Sequence, residues 1–395
     1  MKWEKKKLCE CTEYITDGDH QPVPKADKGV HFIKIKDIVN NQVSFDAQVY
    51  VPQEYYDNLP MERKPQKEDV LYTVVGSFGI PSYVQTDELF CFERNIALLH
   101  PNKGIEPRFL YYSLKNPAFY KGVEIVANGS AQKLIPLSKL KDLKISVPDK
   151  EAQRHIADIL SAYDDLIENN QKQIKLLEEA AQRLYKEWFV DLRFPGHENT
   201  KIVDGVPEGW SKSTVGNICK LRKVVITPDK IESNTPYIGL EHMPRNDICL
   251  STWGKSEEIN SNKFIYLKKD VLFGKIRPYF HKVGFALNDG ITSTDTMVMV
   301  ADQNLWGLLL VTVSSDAFVD FSYQNCKEGA KMPRADWKQM EKYAIMIADQ
   351  ATQKLFEQEI LVITNKISAL AFQCRSLREA RDRMLPKLMG GEVEA

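Results

Sequence analysis

The residues best suited to binding an anion are concentrated in one short stretch, residues 274–282, whose sequence is GKIRPYFHK. Lysine and arginine contact phosphate oxygens and can donate to the O6/N7 edge of guanine, and the glycine and proline favour a turn. We therefore interpret the stretch as a nucleic-acid-binding loop. The alternative is a solvated loop whose Tyr279 and Phe280 enter the core. The expected contacts are Lys275, Arg277, Tyr279 and Lys282.

Two further loops with similar chemistry are residues 128–133 (NGSAQK) and 327–334 (KEGAKMPR). Asparagine and glutamine can pair with adenine through two hydrogen bonds, and lysine and arginine with guanine or phosphate. Ordinary surface turns are the alternative. The first-half counterpart of residues 274–282 is residues 76–83, a stretch without a basic residue that offers a serine and backbone amides. The expected contacts in these three stretches are Ser77, Asn128, Ser130, Gln132, Lys133, Lys331 and Arg334.

The sequence lacks the motifs that would indicate catalysis by the chain itself. It has no G-x-S-x-G, no G-x-x-x-x-G-K-[ST] and no H-E-x-x-H. It also lacks the Asp/Asn-Pro-Pro-aromatic motif that an adenine methyltransferase would carry. The seven cysteines are scattered without a C-x-x-C pair, so a zinc ribbon is not expected. We therefore predict no catalytic residue, no metal site and no cofactor in this chain.

The composition is that of a soluble globular protein, with 43% hydrophobic and 27% charged residues. A chain of 395 residues suits two domains of ordinary size with additional segments. No apolar run approaches the roughly 18 residues that span a bilayer, and no signal peptide is visible, so we expect a cytoplasmic protein. The net charge is −1, and DNA binding would therefore depend on local basic patches.

The candidate loops belong to two globular segments, each followed by a long helix with heptad patterning. The apolar residues of 149–188 and 349–388 coincide when the first run is shifted by 200 residues, and they advance by three and four, as in a coiled-coil seam. Landmarks repeat as well, since DVLY at 69–72 is answered by DVLF at 270–273. We predict a first globule (1–148), a first long helix (149–194), a linker (195–209), a second globule (210–346) and a second long helix (349–390).

A polar helix of this length needs a partner along its apolar seam. Forty residues at about 1.5 Å each would form a rod of about 60 Å, and the other long helix, with its matching frame, is the expected partner. Asn170 at a seam position has Leu370 as its counterpart, and a polar residue there can fix the register. The predicted seam residues are Ile156, Leu160, Tyr163, Ile167, Asn170, Ile174, Leu177, Leu184 and Trp188, and Phe356, Ile360, Ile363, Ile367, Leu370, Cys374, Leu377, Met384 and Leu388.

Five stretches match one known family. They are KEWFVDLRFPG at 186–196, LPKLMGGE at 385–392, DVLY with GSFG at 69–79, DVLFGKIRPY with the later STD at 270–295, and GSAQK at 129–133. On these residues the chain resembles the specificity subunit of type I restriction–modification systems. The resemblance covers the whole chain, including its duplication, and the two stretches that close the long helices are its most specific parts.

The resemblance implies an α+β fold with two similar target recognition domains, each binding one half of a bipartite DNA sequence. It implies that the long helices pair as an antiparallel coiled coil with pseudo-twofold symmetry and set the distance between the half-sites. It also implies two methyltransferase subunits docked on the helices, and endonuclease/translocase subunits joining them. S-adenosylmethionine and ATP with Mg²⁺ would be bound by those partners, and the present chain would be non-catalytic.

Two alternatives come from other classes of protein. The first is a coiled-coil interaction scaffold whose globules bind proteins, which predicts no salt-sensitive affinity for DNA. The second is a nuclease or methyltransferase with an unfamiliar site, which predicts activity from the purified chain alone.

Overall fold

The computed structural model describes residues 3–39, 41–127, 133–326 and 332–392, and the chain divides into two compact units. Unit 1 comprises Met1–Leu166 together with Leu377–Ala395, and unit 2 comprises Ile167–Ser376. The boundaries fall within the two long helices. Each unit therefore contains one globule and a part of each long helix.

Within its described residues, unit 1 contains an antiparallel four-stranded sheet and a mixed three-stranded sheet. The four-stranded sheet has the strand order Thr12–Asp17, Ile96–Pro101, Val70–Thr73 and Pro81–Tyr83. The three-stranded sheet has the order Tyr50–Val51, Val30–Ile33 and Phe90–Phe92. The other strands are Glu4–Lys7, Ile38–Val39, Gln42–Val43 and Lys144–Val147. The short α-helices are Leu8–Cys11, Gln53–Asp57, Pro107–Lys115, Pro117–Val126 and Leu137–Asp142.

Within its described residues, unit 2 contains a five-stranded and a four-stranded sheet. The five-stranded sheet has the order Lys220–Leu221, Thr296–Val300, Val271–Gly274, Val283–Ala286 and Cys249–Leu250. The four-stranded sheet has the order Val225–Ile226, Lys263–Tyr266, Gly290–Thr292 and Tyr237–Ile238. The other strands are Ile202–Val203, Val206–Pro207, Ser211–Thr214 and Ala344–Ile347. The short α-helices are Val215–Ile218, Trp306–Val313, Asp316–Gln324 and Trp337–Met340.

The repeated sequence, DVLY at 69–72 and DVLF at 270–273, forms a buried strand in both globules. Val70–Thr73 and Val271–Gly274 lie inside their sheets, paired on both edges, and all of their residues are buried. A continuous apolar run is what a strand covered on both faces requires. Each strand leads directly into one of the predicted contact loops, so a rigid buried element positions each loop.

In each globule the first strand also pairs with the last strand, just before the long helix begins. Glu4–Lys7 pairs with Lys144–Val147 in unit 1, and Ser211–Thr214 pairs with Ala344–Ile347 in unit 2, both antiparallel. The last strand in each case precedes the helix by only a few residues. This shared pairing fixes the place where each long helix leaves its globule.

The first long helix is α-helical over Lys150–Tyr185 and continues as a π-helical turn over Lys186–Val190. Beyond it Leu192 has a positive φ of 56°, and the Pro195-Gly196 pair that follows cannot continue a helix. The second long helix is Gln350–Gly390. Among the described residues, no helix is both long enough and apolar enough to cross a membrane.

In unit 1 the two long helices pack against each other in opposite directions. Asp164 of the first forms an ion pair with Arg381 of the second. Ile156 and Leu160, which come earlier in the first helix, lie in the same buried core as Leu385, which comes later in the second. The core of unit 1 thus contains side chains from the first globule and from both helices.

Unit 2 shows the same sense of packing. The Cys374 thiol donates to the carbonyl oxygen of Ile167 over 3.7 Å. Towards the other end of this helical segment, Phe356 lies 5.6 Å from the ring of Trp188 and 4.7 Å from that of Phe189, measured between centroids. Residues early in one helix again meet residues late in the other, so the packing is antiparallel in this unit also.

None of the predicted seam residues is exposed. The Asn170 side chain is 5% exposed and its Nδ2 has no hydrogen-bond partner within the described structure, as expected of a polar group that costs stability in a seam. The knobs-into-holes geometry of a coiled coil remains a prediction. The buried members of the seam are Ile156, Leu160, Ile167, Asn170, Trp188, Phe356, Ile360, Ile367, Leu370, Cys374 and Leu388, and the half-buried members are Tyr163, Ile174, Leu177, Leu184, Ile363, Leu377 and Met384.

Candidate nucleic-acid interface

In the second globule the backbone brings two of the predicted contact loops together. The Arg277 N–H donates to the carbonyl of Pro333 over 2.8 Å, and the Ala335 N–H donates to the carbonyl of Lys275 over 2.9 Å. Arg277 has a positive φ of 52°, which turns the chain sharply at the loop. Lys275, Arg277 and Arg334 are therefore neighbours although they come from separate stretches of the sequence.

Three of the cationic side chains in this region are bonded to other groups of the protein. The Lys275 ammonium donates to the carbonyl of Thr294 over 2.7 Å, and the Lys282 ammonium donates to that of Leu240 over 2.5 Å. Arg334 is 3.0 Å from the carboxylate of Asp295. Burial lowers the pKa of both lysines. These three side chains have protein partners that a phosphate would have to replace or share.

Tyr279 and Phe280 do not enter the core. The Tyr279 side chain is 46% exposed, and its ring centroid lies 5.2 Å from that of Tyr323, which is equally exposed. Phe280 is half-buried, 4.8 Å from the Tyr279 ring. The aromatic side chains of the loop thus form part of its surface, where Tyr279 can stack on or contact a ligand.

The first globule repeats this arrangement with different chemistry. The Gly76 N–H donates to the carbonyl of Lys133 over 3.2 Å, so the turn after the buried strand again meets the segment before the next helix. Ser77 is exposed on that turn, and its carbonyl accepts from the Thr73 hydroxyl over 2.7 Å. The Lys133 ammonium lies 5.6 Å from the centroid of the Phe78 ring. The structure therefore brings Ser77 and Lys133 into one neighbourhood.

Four of the predicted contact residues cannot be placed. They lie outside the described residues and are Asn128, Ser130, Gln132 and Lys331.

Arg245 is a cation at this surface that the sequence motifs did not identify. Its guanidinium lies 4.0 Å from the centroid of the Phe280 ring. The backbone N–H of Asn246 donates to the carbonyl of His281 over 3.1 Å, which ties the loop of Arg245 to the predicted contact loop. In the sequence Arg245 is a single basic residue after a proline, so its role becomes visible only through these tertiary contacts.

The repeated aspartate before each central strand has a structural role. Asp69 is fully buried, accepts the backbone N–H of Gln66 over 2.7 Å and lies 2.6 Å from Nδ1 of His100. Burial raises the pKa of Asp69, and these two partners act against that change. Asp270 in the second globule accepts the backbone N–H of Leu267 and pairs with Arg222 over 2.8 Å. Both aspartates fix the turn that precedes the strand carrying the contact loop.

In unit 2 the long helices hold the globule through two buried glutamates. Glu357 accepts the backbone N–H groups of Gly307 and Leu308 over 2.6 and 3.0 Å, at the start of the helix Trp306–Val313. Carboxylates are favoured at such a position because helix N-termini present unpaired N–H groups and a partial positive charge. Burial raises the pKa of Glu357, and the N–H donors oppose the shift.

The second glutamate, Glu178, lies on the first long helix and is 6% exposed. Its Oε1 accepts the backbone N–H groups of Ile248 and Cys249 over 2.9 and 3.1 Å. Burial raises the pKa of Glu178 to about 8, and the nearby Asp247 acts in the same direction. The globule of unit 2 is thus attached to both long helices by buried polar contacts.

In unit 1 the corresponding contacts use other side chains. Gln153 accepts the backbone N–H of Glu106 over 2.9 Å, just before the helix Pro107–Lys115. The Tyr112 hydroxyl donates to Asp164 over 2.7 Å, and Asp164 also pairs with Arg381. In unit 1 the acceptor at the helix start is therefore the neutral amide of Gln153. In unit 2 it is the carboxylate of Glu357.

Within the part of the chain that the structure describes, no three His, Cys, Asp or Glu residues are placed to hold a metal ion. The side chains gathered at the two loop surfaces are hydrogen-bond donors, cations and aromatic rings, together with the Asp295 carboxylate that pairs with Arg334. Their chemistry suits recognition of nucleic acid through phosphates and base edges.

Comparison with known proteins shows which family the chain resembles. Residues 2–179 match the family described as type I restriction modification DNA specificity domain. The type I restriction enzyme MjaIX specificity subunit of Methanocaldococcus jannaschii is 26% identical over 330 residues, which cover 76% of this chain and 71% of that protein. The EcoBI specificity subunit of Escherichia coli is 30% identical over 156 residues, 38% of this chain and 32% of that one.

A solved structure shares the fold. The type I restriction-modification S subunit from M. genitalium superposes with a TM-score of 0.60 over 98% of this chain and 96% of that chain, at 16% sequence identity. The matched domain and the relatives indicate a DNA-recognition protein. The chain is similar over most of its length to the specificity subunits of type I restriction–modification systems, and its residues 2–179 match their DNA specificity domain.

The α+β class, the resemblance to this family and the non-catalytic recognition function are confirmed by these comparisons. The interpretations as a scaffold without DNA binding or as an enzyme with an unfamiliar site are thereby set aside. The individual contact residues, the domain limits and the absence of a cofactor stay predictions.

Proposed function

We propose that this chain recognises a bipartite DNA sequence, with one half-site bound by each globule. One observation carries the proposal: in both units, the turn that follows the central strand is hydrogen-bonded to the described end of a second predicted contact loop. The same recognition surface is built twice, at Gly76 with Lys133 and at Arg277 with Pro333. The side chains on the two surfaces differ, which suits two different half-sites.

The two surfaces carry groups for both kinds of DNA contact. Exposed lysines such as Lys133 would bind phosphate oxygens and position the globule on the duplex. Arginine and hydroxyl groups such as Arg277 and Ser77 would reach base edges in the major groove, where each base pair presents a distinct pattern of donors and acceptors. Tyr279 would add an exposed aromatic contact beside the second set.

The long helices would act as the spacer between the half-sites. Half-sites about one helical turn apart, roughly 34 Å, would present the same face of the duplex to both globules. The antiparallel packing in each unit and the buried contacts of Glu178, Glu357 and Gln153 support this role. Each globule is attached to its part of the helices by buried hydrogen bonds, as a spacer of this kind requires.

The partners follow from the resemblance to this family. The chain would dock two methyltransferase subunits on its long helices, and endonuclease/translocase subunits would join that complex in the cytoplasm. S-adenosylmethionine would be bound by the methyltransferase, and ATP with Mg²⁺ by the translocase. This chain would contribute DNA recognition and assembly.

The direct test is a map of methylated adenines made in a host that expresses the chain with its methyltransferase partner and lacks other adenine methylation. The expected result is a split motif with a constant gap and one methylated adenine in each half. A continuous motif, or a methylation pattern that does not change when this chain is replaced by another specificity subunit, would contradict the proposal.

A further inference from the structure

Arg245 and Arg277 come from different loops of the second globule but share one aromatic ring. Their guanidinium carbons lie 4.0 and 5.7 Å from the centroid of Phe280. A guanidinium that packs its face on a ring keeps the N–H donors along its edge free for partners in its own plane. The ring of Phe280 therefore supports two donor forks at one place on the surface.

Backbone hydrogen bonds fix the two loops that carry these side chains. The Phe280 N–H donates to the carbonyl of Arg277 over 2.8 Å, and the Asn246 N–H donates to that of His281 over 3.1 Å. Arg277 is fixed further by its own N–H, which donates to Pro333 over 2.8 Å. Donors that are already positioned lose less entropy when they bind, so they discriminate better between ligands.

Positive charge is in excess around the Phe280 ring. In this region Arg334 pairs with Asp295 and His281 lies 3.3 Å from Asp316, whereas among the described residues neither Arg245 nor Arg277 forms an ion pair. Burial lowers the pKa of Lys282, and the guanidinium of Arg245 acts in the same direction, whereas Glu241 opposes both. A ligand rich in hydrogen-bond acceptors would relieve the repulsion between these cations.

The first globule offers a useful contrast. Its turn also presents an aromatic ring, Phe78, which stacks on Tyr120 with a centroid distance of 5.9 Å. The cation near that ring is a lysine, Lys133, at 5.6 Å. Lysine is a mobile point charge, whereas the planar fork of arginine matches the paired O6 and N7 acceptors of guanine. The chemistry for selecting guanine is thus stronger in the second globule.

We propose that Arg245 and Arg277, supported by Phe280, recognise guanine in the half-site that the second globule binds. The inference rests on the proposed function and deepens it. Arg245 and Arg277 are specificity-determining residues, and Phe280 is a positioning residue that acts through them. The half-site of the second globule accordingly contains at least one G·C pair whose O6/N7 edge faces this ring.

The test uses the chain assembled with its methyltransferase partner and a duplex that carries the mapped methylation sequence. Each guanine is replaced in turn by 7-deazaguanine, which lacks the N7 acceptor and keeps the Watson–Crick edge. Wild-type affinity should fall by about 2- to 10-fold at one guanine of one half-site, because the replacement removes one of the two acceptors and leaves O6. Arg277→Ala or Arg245→Ala, which removes the whole two-bond contact, should lose about 5- to 150-fold on unmodified DNA and then become indifferent to that replacement.

Two further variants separate recognition from general effects. Phe280→Leu keeps an apolar side chain but removes the ring, so it should reduce the discrimination between guanine and 7-deazaguanine while the salt dependence of binding stays unchanged. Lys212→Ala, an exposed lysine on the strand Ser211–Thr214, is the control for loss of a charge and should behave as wild type.

Two results would overturn the inference. In the first, no 7-deazaguanine position in either half-site costs the wild type affinity. In the second, the arginine variants weaken binding to the mapped sequence and to an unrelated duplex by the same factor, which would make both residues phosphate contacts. Failure of the proposed function is distinguishable from these, because the assembled wild type would then not prefer its methylated sequence over the unrelated duplex.

Discussion

Among the contacts predicted for the first globule, Lys133 is the one basic residue, and its side chain is exposed beside Phe78. A lysine in this position would bind a phosphate rather than distinguish bases. Lys133→Ala should therefore weaken binding of the assembled complex to its own sequence and to unrelated DNA by the same factor. It should also reduce the slope of log affinity against log salt by about one.

The measurement is a salt titration of duplex binding with wild type and variant side by side. Lys5→Ala removes an exposed lysine of the strand Glu4–Lys7, which is paired with Lys144–Val147 and belongs to none of the predicted contact loops, and serves as the control. A loss of affinity at Lys133→Ala that is confined to the specific sequence would show that this lysine contacts a base.

Glu178 should make the stability of the second globule depend on pH. Burial and the neighbouring Asp247 raise the pKa of Glu178 from 4.5 in the unfolded chain to about 8 in the folded protein. Between these values the folded state binds the proton more tightly than the unfolded state does. The free energy of unfolding must therefore decrease as pH rises from about 4.5 to about 8.

Glu178→Gln keeps an oxygen for the N–H groups of Ile248 and Cys249 and removes the titration. The variant should gain thermal stability relative to wild type as pH rises from 5 towards 8.5, with the gap widening across that range. Glu179→Gln, its exposed neighbour, is the matched control. Thermal unfolding curves at several pH values provide the measurement, and a constant difference between variant and wild type would contradict the role assigned to Glu178.

For individual residues, the sequence could identify the loops but not the partners of their side chains. The composition of residues 274–282 correctly predicts a surface loop with Tyr279 exposed. It cannot show that Lys282 is bound to Leu240, that Arg334 is paired with Asp295, or that Arg245 joins the loop. Those contacts join residues far apart in the chain, and no local pattern encodes them.

The long helices are the elements on which the proposed spacer depends. Ile167 is buried in the seam, and its carbonyl accepts from Cys374. Proline at this position would remove a backbone hydrogen bond and clash with the preceding turn, at a cost of about 3 kcal/mol or more. Ile167→Pro should therefore disturb the packing of both helices and abolish co-purification with the methyltransferase subunits.

A matched control for this substitution is Lys150→Pro. Lys150 is the first residue of the same helix, where proline has no intrahelical bond to remove and its fixed φ is suitable. That variant should assemble normally in a pull-down with the methyltransferase subunits. Full-yield assembly by Ile167→Pro would contradict the spacer and docking role of the helix.

Heptad spacing predicted the existence of both long helices, because their apolar seams are long and regular. It could not predict the roles of Glu178 and Glu357, since a glutamate beside a seam normally faces solvent. Both are buried because strands and helices of the globule cover that flank. The same limitation applies to Gln153 in unit 1, whose partner, the Glu106 N–H, belongs to a different element.

For the whole molecule, the duplication is the feature from which the function follows. Each unit combines one globule with part of each long helix, and each repeats the same loop pairing and the same closing strand pair. Two similar recognition surfaces on one chain can be selective for a pair of half-sites only if their separation is fixed. The dependence of binding on the gap between half-sites is therefore the central consequence.

The most direct test is the affinity of the assembled complex for a series of duplexes that contain both half-sites with gaps from three base pairs shorter to five longer than the mapped one. Each added base pair moves a half-site by about 3.4 Å and rotates it by about 36° around the duplex. We expect one optimal gap, with affinity falling to that of a single half-site when five base pairs are added. Equal affinity at every gap would show that the separation of the two recognition surfaces is not fixed.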